Sequence, residues 1–131
     1  MPEIAAVGGI ALRDGRLLLI KRGHAPSAGR WSLPGGRIEP GESERDALAR
    51  EFLEETGLVV EVGALAGEVV RDGPGVTYRI RDFLVTPQSG TEAFGDDAVD
   101  IAWVPIGVLG GYRLAKGLLS ALRSWGIVPP F

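Results

Sequence analysis

Residues 33–58 read LPGGRIEPGESERDALAREFLEETGL, and this stretch decides the fold. Its second half has the marks of one helix. Ser43 is a natural N-cap, and Asp46 three residues on resembles a capping box with Asp in place of Glu. Gly57 stands where a C-terminal glycine cap belongs. On a wheel of about 100° per residue over Ser43–Thr56, Glu51, Glu54 and Glu55 share one arc. Ala47 lies inside that arc one turn earlier, and Glu44 is on the same side. Leu48, Ala49 and Phe52 form the neighbouring apolar face. Three carboxylates therefore crowd a small residue beside the buried stripe. Glu51 and Glu55 repel at i,i+4, at a cost of roughly 0.2–0.5 kcal/mol. Glu54 and Glu55 also sit at the wrong end for the helix dipole. Only Arg50 is near enough to offset them. Either this is a solvated acidic face, or the carboxylates await a hard cation such as Mg²⁺.

The charge distribution isolates the same segment. The chain of 131 residues is at −3 with 14 Lys+Arg against 17 Asp+Glu. Seven of those acids and only three arginines fall between Arg37 and Glu55. Everything outside that segment is nearly neutral, so a basic surface for a nucleic-acid polymer is not expected. The chain has no Cys and a single His, His24. That excludes disulfides, thiolate and multi-His metal sites, and Cys nucleophiles. The apolar run Ile4–Leu12 is too short to span a bilayer, and Met1-Pro2-Glu3 does not start like a signal peptide. A cytoplasmic protein without membrane contact is the expectation.

Working outward, Glu3–Leu12 and Arg16–Arg22 read as strands around an Arg13-Asp14-Gly15 turn. Gly23–Ser32 reads as a polar loop. Leu58–Arg71 and Val76–Thr86 flank Asp72-Gly73-Pro74-Gly75 as a long hairpin. Gln88–Asp97 reads as a polar loop, Ile101–Val104 as a short strand and Tyr112–Trp125 as a C-terminal helix. No regular βαβ alternation is present, which favours an α+β sandwich in a single domain over residues 1–131.

From Gly36 the spacing runs five residues to Glu42, seven to Arg50-Glu51-Phe52, one to Glu54-Glu55 and one to Gly57-Leu58. This resembles the signature of the Nudix (MutT-like) hydrolases at nine constrained positions over 23 residues. Phe52 stands where the family usually has a bulky aliphatic. Trp31-Ser32-Leu33-Pro34-Gly35-Gly36 resembles the family's usual entry to that signature. The resemblance implies an α/β/α sandwich around a mixed β-sheet. It implies Mg²⁺- or Mn²⁺-dependent hydrolysis of a nucleoside diphosphate linked to another moiety. It also assigns residues. Glu51, Glu54, Glu55 and the backbone of Gly35 would bind metal, and Arg50 would orient the glutamates with Glu42 as its partner. The alternative for Arg50 is a plain i,i+4 salt bridge with Glu54, and for Glu42 a surface acid before the helix.

The catalytic base is either a glutamate of the signature or a loop acid among Glu92, Asp96, Asp97 and Asp100, with Asp97 favoured by position. Arg30, Arg37, Arg79 and Arg81 are candidates for the substrate phosphates, and Arg79 and Arg81 share a strand face. Tyr78, Trp31, Phe83 and Tyr112 are candidates to stack on a base, or they are core. His24 reads as a loop residue without a role. Pro74, 16 positions after Leu58, resembles a mark of ADP-ribose hydrolysis, although a structural turn also explains it. The alternative substrates are dNTPs or oxidised nucleotides. A ligand-sensing domain without catalysis is the reading from another class. The partner is a nucleotide, and monomer or homodimer stays open.

Overall fold

The computed structural model describes residues 2–24, 28–95 and 98–129. Strand β1 (Glu3–Arg13) turns through Asp14-Gly15 into β2 (Arg16–Arg22). Asp14 at φ 52° and Gly15 at φ 73° are both left-handed, which matches a two-residue turn to the twist of its strands. Next come β3 (Trp31–Ser32), β4 (Gly35–Arg37) and helix α1 (Glu44–Thr56). The long hairpin is β5 (Leu58–Gly73) and β6 (Val76–Gly90), closed by Pro74-Gly75. Then follow β7 (Ala98–Pro105), a 3₁₀ turn at Ile106–Gly111 and α2 (Leu118–Ser124).

The strands form one mixed sheet in the order β3-β2-β1-β6-β5, with β4 added to β1 and β7 to β2. One edge of β1 pairs in parallel with β6 along Glu3–Ala11. Its other edge is shared. β4 takes Ala6–Gly8, and β2 takes Leu12 and Arg13. β1 is thus the strand from which both halves of the sheet spread, and it is buried on both sides. Val7 and Ala11 point to a core with Ala47, Leu48 and Phe52 of α1. Ile10 points to a second core with Leu17, Leu19, Leu118 and Leu122 on the α2 side. This is the expected α+β sandwich with a mixed sheet. Among the described residues no helix is long and apolar enough to cross a membrane.

The C-terminal helix is shorter than its sequence suggests. Helical structure starts at Leu118, after Gly117 at φ 84°. Residues 113–115 are extended instead. Trp31 donates its N–H to Arg113 O at 2.8 Å, and Ala115 donates to Trp31 O at 2.7 Å. Pairing with β3 and burial of Ala115 override the local helical pattern. β6 also extends beyond the expected strand, to Gly90 within the region read as the polar loop Gln88–Asp97, and β7 starts at Ala98 and not at Ile101.

Ala47 is fully buried within the α1 core rather than opening into the carboxylate arc. The effect of Ala47→Glu is therefore a folding effect. Burying an unpaired charge there should cost more than about 4 kcal/mol, a large part of a domain's total stability. Chemical denaturation should show a variant that is unfolded or close to it. A variant with wild-type stability would contradict this packing.

Candidate active site

α1 is held at both ends. Ser43 Oγ accepts the N–H of Asp46 at 3.1 Å, and Gly57 at φ 75° closes the C-terminus onto Leu53 O. Thr56 Oγ1 donates to Phe52 O at 2.6 Å and accepts the N–H of Leu58 at 3.2 Å, which ties the last turn to β5. These bonds and the burial of Leu48 and Phe52 fix which face of α1 meets β4.

On that face Glu55 is 4% exposed, and its Oε1 accepts the N–H of Gly35 at 2.7 Å. Glu51 approaches the next residue: a Cβ on Gly36 would fall 2.6 Å from the Glu51 carboxylate. Any side chain at Gly36 would displace that carboxylate. Gly35, at φ 157°, presses even closer to β1, where a Cβ would meet Val7 O at 2.0 Å. The Gly35-Gly36 pair is what lets a strand backbone and two helix carboxylates come together.

Arg50 organises the other side of these glutamates. Its Nε and Nη2 donate to the two oxygens of Glu42 at 2.7 and 2.8 Å, a bidentate fork. Nη1 donates to Glu51 Oε1 at 2.9 Å and to Glu54 Oε2 at 3.4 Å. Nη2 also reaches Arg37 O at 3.2 Å. Glu42 in turn accepts the N–H of Glu39 at 2.9 Å. The hydrogen bonds from Arg50 and from the Glu39 N–H hold the Glu42 carboxyl far down, at about 2. The same contacts with Glu42 and Glu51 raise Arg50 above its ordinary value. The expected pairing of Arg50 with Glu42 is present, and so is the i,i+4 contact with Glu54.

The three glutamates do not all converge. Glu54 is turned outward with its side chain 58% exposed. Among the described residues no three His, Cys, Asp or Glu side chains gather on one point. Two hard carboxylates beside a glycine backbone nevertheless suit Mg²⁺, which commonly takes one or two carboxylates and completes its shell with water and substrate phosphates.

Next to Gly35 and Gly36 lies a cavity of about 150 Å³. Its wall includes Arg22, Arg37, Arg71, Tyr78 and Asp82. Arg37 sits over the Tyr78 ring with its Cζ 5.9 Å from the centroid. Of the expected substrate residues, Arg37 and Tyr78 are brought together here, and Arg30 and Arg79 are not. Arg30 donates to Leu114 O at 3.0 Å outside this cavity. Arg79 is held by Glu3 at 3.2 Å and Glu68 at 2.9 Å, and Arg81 by Glu44 at 2.6 Å. The period of two that puts Arg79 and Arg81 on one face of β6 puts Tyr78 on the other. Expecting Arg79 and Tyr78 in one site overlooked that alternation. Trp31, Phe83 and Tyr112 belong to the packing. Phe83 is in the α1 core, and Trp31 and Tyr112 meet edge to face at 5.7 Å on the α2 side. His24 is exposed. Pro74 sits in the hairpin turn and takes no part in the cavity wall.

Among the loop acids, Glu92 is exposed, and Asp100 is exposed with its Oδ1 accepting the N–H of Ile101 at 2.8 Å. Asp96 and Asp97 lie outside the described residues. The chain that leads to them passes directly over the end of α1. Ala93 donates to Thr56 O at 2.9 Å, and a Cβ on Gly95 would fall 2.3 Å from Glu54 O.

Sequence reasoning missed Asp82, Arg71 and Arg22. Alternation from Tyr78 through Ile80 to Asp82 was the available signal for the first. The register of β5 against β6, with Arg71 opposite Tyr78, was needed for the second.

With this geometry in view, comparison with known proteins is direct. The family model of the NUDIX domain matches residues 2–122. An ADP-ribose pyrophosphatase of Methanocaldococcus jannaschii is 42% identical over 96 residues, which cover 71% of this chain and 56% of that protein. This chain thus spans little more than half of that relative's length. A putative 8-oxo-dGTP diphosphatase 2 of Mycobacterium tuberculosis is 50% identical over 113 residues, covering 76% of this chain and 79% of the relative. The crystal structure of a MutT NUDIX hydrolase from Burkholderia pseudomallei superposes with a TM-score of 0.86 at 30% identity, over 94% of this chain and 98% of that one. The chain belongs to the Nudix (MutT-like) hydrolase family.

The buried Asp82 carboxyl yields a stability prediction. Burial pushes it up from 3.8 to about 6, and the charge on Arg71 opposes this only in part. An acid whose folded pKa is raised disfavours the folded state once it must ionise. Stability is therefore lost as pH rises from about 4 through about 6, by at most ~2–3 kcal/mol. Asp82→Asn should melt higher than wild type at pH 8, and the gap should close near pH 4. A variant that melts lower at pH 8 would show that Arg71 needs the charge.

Proposed function

We propose that this protein hydrolyses the diphosphate of a nucleoside diphosphate linked to another moiety, releasing a nucleoside monophosphate. The observation that carries this reading is the meeting of Glu51 and Glu55 with the Gly35-Gly36 backbone, which itself lines a cavity shared with Arg37 and Tyr78. Glu51, Glu55 and the Gly35 backbone would hold a Mg²⁺ or Mn²⁺ ion, with Glu54 rotating in from Arg50. When bound, such an ion neutralises the diphosphate and lowers the pKa of an attacking water.

The remaining work falls to this chain's own groups. Arg50, braced by Glu42, fixes the Glu51 side chain so that it is not reorganised as charge develops. Arg37 and Arg22 at the cavity wall supply positive charge to the phosphates. Tyr78 offers a ring face to the nucleoside. The proton of the attacking water goes to a carboxylate, either Glu54 at the exposed end of the cluster or Asp97. The contact of Gly95 with Glu54 supports a loop acid acting close to the cluster.

For the substrate, the relatives support two readings. The archaeal relative favours ADP-ribose or a similar nucleoside diphosphate sugar. The mycobacterial relative favours a nucleotide-pool sanitising activity on dNTPs or oxidised nucleotides, and its match takes in more of both chains. With Pro74 in a turn, the ADP-ribose reading rests on the relative alone.

Glu55→Gln should lower kcat at least ~10²-fold at saturating Mg²⁺ with a smaller change in KM. Gln keeps an oxygen to accept the Gly35 N–H, so the loss reports charge rather than folding. Turnover near wild type would refute the assignment. In ¹⁸O-enriched water, label should enter a product phosphate. Label at a sugar carbon would mean glycosidic cleavage and end the pyrophosphatase reading.

A further inference from the structure

Asp82 has no part in the chemistry above, yet its position is unusual. It stands on the cavity side of β6 and is 4% exposed. Across the sheet, Gly8 of β1 leaves the space that it fills: a Cβ on Gly8 would fall 2.3 Å from Asp82 Oδ1. Among the described residues nothing donates a hydrogen bond to the carboxyl, and only the more distant charge of Arg71 offsets its burial. A buried carboxyl without a donor is costly, and such groups in native structures call for a partner. Folding alone would favour another apolar residue here, as at Ile80. Asp82 is therefore a carboxyl of low exposure, without a protein hydrogen-bond donor among the described residues, in the wall of a cavity that also includes Gly35 and Gly36.

The occupant must bring the missing donor. A phosphate cannot, because it would face a carboxyl with further acceptor oxygens. A sugar carries hydroxyls on all sides; those turned to Arg22, Ser32, Arg37 or Arg71 could pair, but those turned to Leu33, Val69, Ile80 and Leu118 would be left without partners. A nucleobase has two apolar faces and a polar edge, which suits a wall where Leu33, Val69, Ile80 and Leu118 lie beside a few polar groups, Asp82 and Arg71 among them. Among base edges, an exocyclic amino group donates to a carboxyl oxygen. An oxo group in the same place sets lone pair against lone pair.

We propose that Asp82 is a specificity-determining residue that receives the exocyclic amino group of the substrate's nucleobase, so that the cavity selects cytosine or adenine over the oxo counterparts uracil or hypoxanthine. This deepens the proposed function and rests on its reading of the cavity as a nucleotide site. The preference belongs to the ionised carboxylate, which accepts the amino N–H and repels an oxo group; a neutral carboxyl can donate to an oxo group as well, so the discrimination is read at pH 8, where Asp82 is charged.

The test is calorimetric binding of CMP against UMP, and of AMP against IMP, in EDTA so that hydrolysis plays no part. Wild type should bind the amino member of at least one pair ~10-fold or more tightly, as expected where a mismatch leaves a buried polar group unpaired. Asp82→Asn keeps the size, and its amide can present either oxygen or NH₂, so the preference should shrink to within about threefold. Asp82→Leu should lose it too. Wild-type ratios within threefold for both pairs, no binding of any mononucleotide at millimolar concentration, or a preference that survives both substitutions would overturn the proposal. A separate hydrolysis assay with Mg²⁺ distinguishes its failure from that of the reaction. Cleavage without base preference refutes the role of Asp82 alone. Preferential binding without any cleavage refutes the hydrolase reading and leaves the base-reading role intact.

Discussion

The guanidinium of Arg50 is the interaction on which the candidate site depends. It binds Glu42 through two bonds, touches Glu51 and Glu54, and anchors on the Arg37 carbonyl, so it joins the turn before α1, the helix itself and the end of β4. Without it the last turns of α1 would set three carboxylates against one another and against the helix dipole. With it, Glu51 is oriented towards Gly36 while Glu42 takes much of the cation's hydrogen-bonding capacity. The depressed Glu42 carboxyl has a pH signature: the stability it gives is present above the ordinary carboxylate range and fades as pH falls towards about 2.

Two glycines make that orientation useful. Gly35 and Gly36 are strand residues, yet neither has room for a side chain: β1 closes on one and Glu51 on the other. The same economy recurs on the far side of β1, where Gly8 leaves space for Asp82. Backbone proximity at these points joins the carboxylate face of α1 to the cavity. Both depend on β1, whose alternate residues serve the two cores and whose edges hold β4 and β6.

What was legible in the sequence was what is local. The cap at Ser43, the stop at Gly57, the Asp14-Gly15 turn and the Arg50–Glu42 pair are each set within about ten residues. What was not legible depends on distant partners. Tyr112–Gly117 is not helical because residues 113–115 pair with Trp31, about 80 positions earlier. Arg79 faces Glu3 and Glu68 instead of the cavity because β6 alternates, and only the surroundings show which face is which. Ala47 sits on the wheel with the carboxylates but is fully buried, because the wheel gives direction and not depth. Asp82 reads as one acid in a mixed strand until Gly8 and Arg71 are placed around it.

The central claim is that the Arg50-braced face of α1 is arranged to take a divalent cation. The most direct measurement is thermal melting in EDTA and across a Mg²⁺ series at matched ionic strength, with and without a saturating nucleoside monophosphate. The account predicts a melting temperature that rises with Mg²⁺ by mass action, equivalent to roughly 2.7 kcal/mol at 100 times the Kd, and a response that largely disappears in Glu51→Gln. A melting temperature indifferent to millimolar Mg²⁺ both with and without nucleotide, or a Glu51→Gln response equal to wild type, would contradict it.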